Sequence, residues 1–395
     1  MNSDPEHGQA EGPPYVIPVR YGAPVAPPRP SILGSFFRFL LVALLIGSLG
    51  LNLVLLLGWS LGDGLGGYDR GPNVVERFHS GDAEASDKIA LVRIEGIILD
   101  GEMGYAEKQI ERAARDPRVK AVVLQINSPG GSITASDELH RQIVGLRDGR
   151  LPEQVGGAKP VVVAMEALAA SGGYYIAVPA QFIMAQRTTI TGSIGVYAAF
   201  PNIAEFCNRH GIRLDIIKAG EVKDSGSMFH PMSPQERQLW QDMVDHAYRQ
   251  FLSVVEAGRP ALKGKLREPL FERDIPNPTP GDGKPETLKY VRRLADGGIF
   301  TADEAKKYGL IDGIGFLDDA IAEARKLADP VNPNRPYRVV SYERPLRFRD
   351  LLLGSESTEA RWTLEVPRLA AGSVPRLWYL TPQSELAGLV AILGR

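Results

Sequence analysis

The stretch AVVLQINSPGG, residues 121–131, carries the information that decides the fold. Ala121 to Ile126 is a short, almost continuous apolar run, which reads as a strand buried on both faces. Asn127 to Gly131 then interrupts it. Pro129 fixes its own φ, and Gly130 and Gly131 tolerate conformations closed to other residues. Helical spacing starts directly afterwards, from Ile133 to Arg147. A buried strand, a glycine turn and a helix, in that order, belong to a parallel α/β architecture. Backbone N–H groups at such a turn point outward, which is the construction of an anion site or an oxyanion hole.

The same alternation extends on both sides. Ile89 to Ile98 is apolar and β-branched and predicts a strand; Tyr105 to Arg115 has helical spacing. Pro160 to Met165 (PVVVAM) predicts a second buried strand and Ala169 to Val178 a helix. Phe182 to Ala185 and Leu214 to Ile217 predict short strands, and Pro234 to Ala257 a long helix. No internal repeat is visible. The fold class is α/β.

The ends differ from this body. Residues 1–38 are rich in Pro and Gly and read as a disordered tail. Phe39 to Trp59 carries no charge and, as a helix, would reach roughly 30 Å, enough to span a bilayer core. Arg20, Arg29 and Arg38 precede it, while Asp63 and Asp69 follow, so the positive-inside rule places the N-terminus in the cytoplasm and the remainder outside. A cleaved signal peptide fits less well, because its apolar core runs to only about 15 residues. Residues 60–85 read as a linker, with the glycines of 62–71 as a flexible tether. The body then runs over 86–330, with a Pro/Gly-rich surface insertion at 275–285. Residues 331–395 read as a C-terminal extension, whose apolar clusters at 377–380 and 386–393 could pack on a neighbour or a membrane.

Composition narrows the function. The formal net charge of −2 offers no basic stripe, which argues against a nucleic-acid partner. The single cysteine, Cys207, has no activating context and reads as a small buried apolar residue. No Walker loop, HExxH or paired CxxC is present, so no metal or cofactor is expected.

Two further glycine turns could carry chemistry: 169–175, where Ser171 is surrounded by small residues, and 191–196, which holds Ser193. Taken alone, Ser171 reads as a helix N-cap and the turn at Ser193 as an ordinary tight turn. A nucleophilic serine needs a base. His7, His79, His140, His210, His230 and His246 lie in no motif with an acid; His230 is the nearest to a candidate loop. Lys223, in GEVKDSG at 220–226, is the other choice, and in isolation reads as a solvated charge.

Five ordered matches resolve these alternatives. NSPGG at 127–131, ASGGYYIA at 170–177, TGSIGV at 191–196, GEVKD at 220–224 with MSPQER at 232–237, and LADGGIFTADEAKKYGLID at 294–312 together resemble the signal peptide peptidase A (protease IV) family of membrane serine peptidases. The resemblance covers about residues 88–330. It implies a ClpP/crotonase-like spiral of ββα units, with Ser171 as nucleophile, Lys223 as general base and Ser193 as the serine that helps to hold the lysine. It also implies an oxyanion hole at Gly130 and Gly131, joined by the Gly172 amide. Relatives of this type form ring-like homo-oligomers in which neighbouring subunits share the dyad. The implied substrates are apolar peptides, including cleaved signal peptides.

The implied chemistry is an acyl-enzyme pathway in which neutral Lys223 takes the Ser171 proton. A neutral lysine requires burial away from counter-charges, so Asp224 is expected to point away from its amine. Competing readings are a crotonase-like acyl-CoA enzyme, a tethered scaffold ring without activity, and a dyad protease acting on specific membrane-protein tails.

Overall fold

The computed structural model describes residues 32–64, 74–101, 103–277, 287–344 and 378–380. The chain divides into one unit up to Asp69 and a second from Arg70 onward. In the first unit, helix α1 (Ile32–Gly64) is continuous. Its described apolar side chains, among them Phe39, Leu44, Leu45 and Leu49, are all exposed. Among the described residues, no helix is long and apolar enough to cross a membrane. The span expected over Phe39–Trp59 falls only partly on described side chains, which end at Leu53. The helix also starts earlier than the tail boundary at 38 and ends beyond Trp59, near the helix-terminating Asp63-Gly64 pair. The rest of the expected N-terminal tail, and residues 65–73 of the tether, lie outside the described residues.

The second unit is built on one large, mostly parallel sheet. Its elements follow the chain as β1 (Val75–Gly81), β2 (Lys88–Glu95), α2 (Gly104–Arg115), β3 (Val119–Ser128), β4 (Gly130–Ser132), α3 (Ile133–Asp148), β5 (Val161–Ala170), α4 (Gly172–Ala177), β6 (Phe182–Ala185) and β7 (Ile190–Gly192). There follow α5 (Ala204–Arg209), α6 (Pro234–Gly258), β8 (Pro269–Pro276), β9 (Thr287–Arg293), β10 (Ile299–Thr301), α7 (Ala302–Lys307), β11 (Gly313–Ile314), α8 (Leu317–Ala328), β12 (Arg338–Glu343) and β13 (Trp378–Leu380). The sheet order is β1-β12-β2-β3-β5-β6-β11, parallel from β12 to β11, with β1 antiparallel at the edge.

Alternation along each strand supplies two cores. Ala90, Val92, Val122, Leu124 and Val163 face one side, with the apolar positions of α2, α3, α4 and α6. Ile89, Leu91, Ala121, Val123 and Val162 face the other, where Ala320, Ile321 and Ala324 of α8 cover them. Both faces are thus buried, which is why these strands are apolar at every position. Ser233 and Glu236 form a capping box with Pro234 at the first helical position, so α6 starts where the sequence placed it.

A buried charge cluster anchors the start of β2. Lys88 Nζ donates to Glu76 Oε1 at 2.7 Å and to Asp116 Oδ2 at 2.9 Å. Burial pushes the Asp116 carboxyl up, but hydrogen bonds from Lys88 and from the Arg118 backbone and side chain outweigh it and hold the group at about 2. Its folded pKa therefore lies below the ordinary value of 3.8. The stabilisation is present above that ordinary value and is lost as pH falls through about 2. Asp116→Asn should be less stable near neutral pH by about 1–3 kcal/mol. It should also lose less stability than the wild type between pH 4 and about 2, and urea unfolding across that range reads both effects. Parallel losses in the two proteins would mean that Asp116 is not the titrating group.

Four local expectations need correction. Leu214 to Ile217 is not a strand: the segment has no regular secondary structure, is exposed, and no described strand pairs with it. A strand is stable only with a partner, and β-propensity alone does not provide one. The run expected as a helix from Ala169 is strand until Ala170, so β5 is longer and α4 shorter than periodicity suggested. The 60–85 linker contains β1, and the extension after residue 330 contains β12, which lies between β1 and β2. Finally, the 275–285 insertion begins on the antiparallel β8–β9 hairpin, with 278–286 outside the described residues.

Candidate active site

β5 changes partner along its length. Val162 to Met165 pair with β6, whereas Leu168 to Ala170 pair with β7. The strand ends at Ala170 opposite Gly192, and the next residue, Ser171, donates its N–H to the Gly192 carbonyl at 2.8 Å. Ser171 then opens α4, its carbonyl accepting from Tyr175 N–H at 2.8 Å. Passing from strand to helix in one residue forces φ 55° and ψ −118° on Ser171. That conformation costs about 1–3 kcal/mol for a residue with a Cβ. Ser171 is an N-cap by position, yet its side chain makes no capping bond, which leaves the hydroxyl uncommitted to the helix. It is 1% exposed.

The NSPGG turn lies against it. β3 runs beside β5 up to Ser128 opposite Ala169, and Gly130 takes φ 96°. A methyl placed on Gly172 would lie 3.0 Å from Gly130 Cα and 3.1 Å from Gly131 N, so the Gly131 and Gly172 backbones are neighbours. A methyl on Gly131 would lie 1.9 Å from the Ile98 carbonyl oxygen. Ile98 N–H donates to Gly130 O at 2.9 Å and Ser132 N–H to Ile98 O at 2.7 Å, which fixes the turn from one side. Ser132 caps α3, accepting from Ala135 N–H, and donates to Asp100 Oδ2 at 2.9 Å. Ser136, fully buried, brings a hydroxyl to 2.6 Å from the Gly172 methyl position and has no described hydrogen-bond partner. The sequence reading missed Ser136, because its only local signal is a place on the first turn of α3.

The turn after β7 completes the wall. Ser193 takes φ 52° and is 4% exposed, and its N–H donates to Gly298 O at 2.9 Å. Gly297 N–H donates to Ile194 O at 3.1 Å, and β10 pairs antiparallel with β7. The LADGGIF segment is therefore the clamp on the Ser193 turn. Asp296, another residue the sequence reading did not single out, organises that clamp by accepting from Arg293 N–H and Gly298 N–H.

Lys223 lies in the loop that precedes α6. It is exposed, in a turn where its N–H donates to Gly220 O at 3.3 Å, and no described hydrogen bond or ion pair joins its amine to Ser171. The segment is tied down by Trp240 Nε1, which donates to Ser225 Oγ at 2.7 Å, and by Ile203 N–H donating to Met228 O. Asp224 is engaged by Lys218 Nζ at 2.5 Å and His230 Nε2 at 3.2 Å, which leaves it turned to partners other than Lys223. The Lys218 hydrogen bond holds the Asp224 carboxyl below its ordinary range. The backbone bond to Pro231, aided by Asp224 and Glu236, raises His230.

Asp224, His230 and Glu236 also bring three ligand-type atoms within 4.8 Å of one another. Glu236 is committed to the α6 capping box and Lys218 already neutralises Asp224, so the group reads as a charge-balanced loop anchor. Among the other histidines, His140 packs edge-on against Tyr175 with ring centroids 5.2 Å apart, and burial lowers its pKa. His79 contacts Ser80, His210 bonds to Phe206 O, and His246 is exposed; His7 lies outside the described residues.

The model of the family described as Peptidase family S49 matches residues 153–268 and 284–330, which include Ser171, Ser193 and Lys223. Protease 4 of Salmonella typhi is 32% identical over 253 residues, covering 62% of this chain and 35% of that protein. The chain thus spans about a third of the length of that relative. A putative protease of Synechocystis sp. is 31% identical over 241 residues, covering 61% of this chain and 74% of that protein. Among solved structures, a ClpP1 mutant from Listeria monocytogenes is similar at 14% identity and a TM-score of 0.31, over 58% of this chain and 94% of that one. The matched segments carry the strained serine, the Ser193 turn with its clamp and the Lys223 loop, and on these grounds the chain belongs to peptidase family S49, the signal peptide peptidase A family.

Proposed function

We propose that this chain is a serine endopeptidase that hydrolyses apolar peptides, cleaved signal peptides among them, through Ser171 and Lys223. The observation that carries the reading is Ser171 itself. A strained serine, uncommitted to capping, sits beside the adjacent Gly131 and Gly172 backbones. In the proposed reaction Lys223 takes the hydroxyl proton, Ser171 Oγ attacks the scissile carbonyl, and the amides of Gly131 and Gly172 hold the oxyanion, with Gly130 shaping the turn. The proton passes to the leaving amine, and water then releases the acyl group by the same route. Ser193, on the neighbouring turn, is the serine that would help to hold the lysine. No cofactor takes part.

The exposed position of Lys223 supports a dyad shared between subunits of a ring-like homo-oligomer on a ClpP/crotonase-like scaffold. Shortly before it in the chain, Ile212, Leu214, Ile216 and Ile217 are exposed, in a run without a described strand partner. Packing against the next subunit would cover this run and desolvate the lysine amine. The uncharged Phe39–Trp59 stretch, on a helix whose described apolar side chains are all exposed, supports an anchor in the cell membrane. The preceding arginines support a cytoplasmic N-terminus and a catalytic body on the other side.

Co-assembly tests the shared dyad. Ser171→Ala and Lys223→Ala proteins should each be inactive on a fluorogenic apolar peptide. Mixed by dissociation and reassembly, they should recover activity at about a quarter of the sites, those that draw the intact serine from one variant and the intact lysine from the other. Absence of recovery in a mixed oligomer of wild-type size would place both residues of each dyad in one subunit.

A further inference from the structure

The strand edge beside the candidate nucleophile is already paired. β4 runs between two neighbours: Ile98 on one side, and β13 (Trp378–Leu380) antiparallel on the other. The register sets Trp378 opposite Ser132, Tyr379 opposite Gly131 and Leu380 opposite Gly130. The direction of the backbone groups follows from alternation. Gly130 C=O and Ser132 N–H are taken by Ile98, so the Gly131 N–H and C=O project to the opposite edge, toward Tyr379. Gly131 is also the residue whose amide the proposed mechanism uses for the oxyanion, and the Gly172 backbone lies against it. The chain's own segment therefore pairs with the backbone edge that an extended peptide would need in order to place a carbonyl near Ser171.

We propose that Trp378–Leu380 is a resident competitor strand, docked on β4 by main-chain pairing, which a peptide substrate must displace. This deepens the peptidase reading and rests on it for its kinetic consequence, though not for the docking itself. Main-chain pairing is tolerant of sequence, so it admits both the chain's own segment and extended apolar peptides. The chain between Glu343 and Trp378 can extend to roughly 100 Å, which lets the segment reach the edge of its own subunit. A tethered strand acts at an effective concentration of order millimolar, so even weak pairing fills the edge for much of the time. The expected result is competition: it raises the KM for added peptide and leaves kcat unchanged.

Two experiments on the full chain decide this. The first reads docking without catalysis. Ser132 and Trp378 flank a hydrogen-bonded pair, so their Cα atoms lie about 4.5 Å apart, within reach of a disulfide. In a Ser171→Ala background, Ser132→Cys with Trp378→Cys should oxidise to an internal disulfide, seen as a monomer on a non-reducing gel and confirmed by peptide mass. The native Cys207 is buried and serves in the single-cysteine controls. No disulfide, or one formed only between chains, overturns the proposal. The second experiment reads competition. Tyr379→Pro removes the N–H that faces Gly131 and should lower the KM for a short apolar peptide several-fold at unchanged kcat. An unchanged KM overturns it. If the protein proves not to be a peptidase, both kinetic proteins are inactive while the internal disulfide still forms, so the two failures are distinguishable.

Discussion

Ser171→Ala should fold and assemble as the wild type does and lose hydrolysis of an apolar peptide by at least about 10⁴-fold. The size follows from the role. A nucleophile forms the covalent bond, and what survives its loss is the contribution of binding and the oxyanion hole alone. Stability should not suffer. The hydroxyl caps no helix, since the Ser171 side chain makes no capping bond, and alanine meets the same backbone strain at φ 55°. The Ser171 N–H bond to Gly192 O is main-chain and is retained. The measurement is turnover at matched oligomer size, with a serine-directed acylating probe as the second readout. Labelling of the wild type at the Ser171 peptide, and none of the variant, is the expected pattern. Activity that survives the substitution would remove Ser171 from the chemistry. A wild-type protein that neither labels nor turns over would instead favour the non-catalytic scaffold ring.

The second large effect belongs to Gly131→Ala. Its methyl group would lie 1.9 Å from Ile98 O and 2.8 Å from Ile98 N. Both obstacles are backbone atoms, held by the bonds from Ile98 N–H to Gly130 O and from Ser132 N–H to Ile98 O. Neither can swing aside as a side chain would, so the turn must move. Overpacking of this kind costs about 1–3 kcal/mol, read as a lower urea midpoint. Displacing the amide should cost a further 10²-fold or more in kcat, the usual scale for one oxyanion donor. Gly104→Ala is the control. Nothing lies within 4 Å of a methyl there, and the residue is the first of α2, where alanine is the better helix former by up to about 1 kcal/mol. Equal behaviour of the two variants would mean that the Gly131 turn is not the constrained element described above.

These two predictions draw on different sources of information. The strands around AVVLQI and PVVVAM, helices α2, α3 and α6, and the strand at Phe182–Ala185 follow from local pattern. Their apolar periodicity, glycine turns and the Ser233–Glu236 capping box lie within a few residues of one another. The glycine motifs and Ser171 were legible too, through five matches in fixed order. What sequence order could not supply was the meeting of those motifs in space. The long reach of β5 from β6 to β7, the clamp of Gly297 and Gly298 on Ser193, and the buried hydroxyl of Ser136 beside Gly172 all join residues far apart along the chain.

β12 shows the same limit from the side of the fold. Arg338 to Glu343 (RVVSYE) is a short mixed segment after a proline-rich stretch, and its place between β1 and β2 depends on partners more than 240 residues earlier in the chain. The reverse case is Leu214 to Ile217, which has strand composition and no described strand partner. Local composition alone determined which segments of this protein are able to form strands, helices and turns, because propensity and periodicity act over neighbouring residues. Tertiary structure alone decided which of them pair and which backbone groups face the serine, because a strand is completed only by the strand beside it.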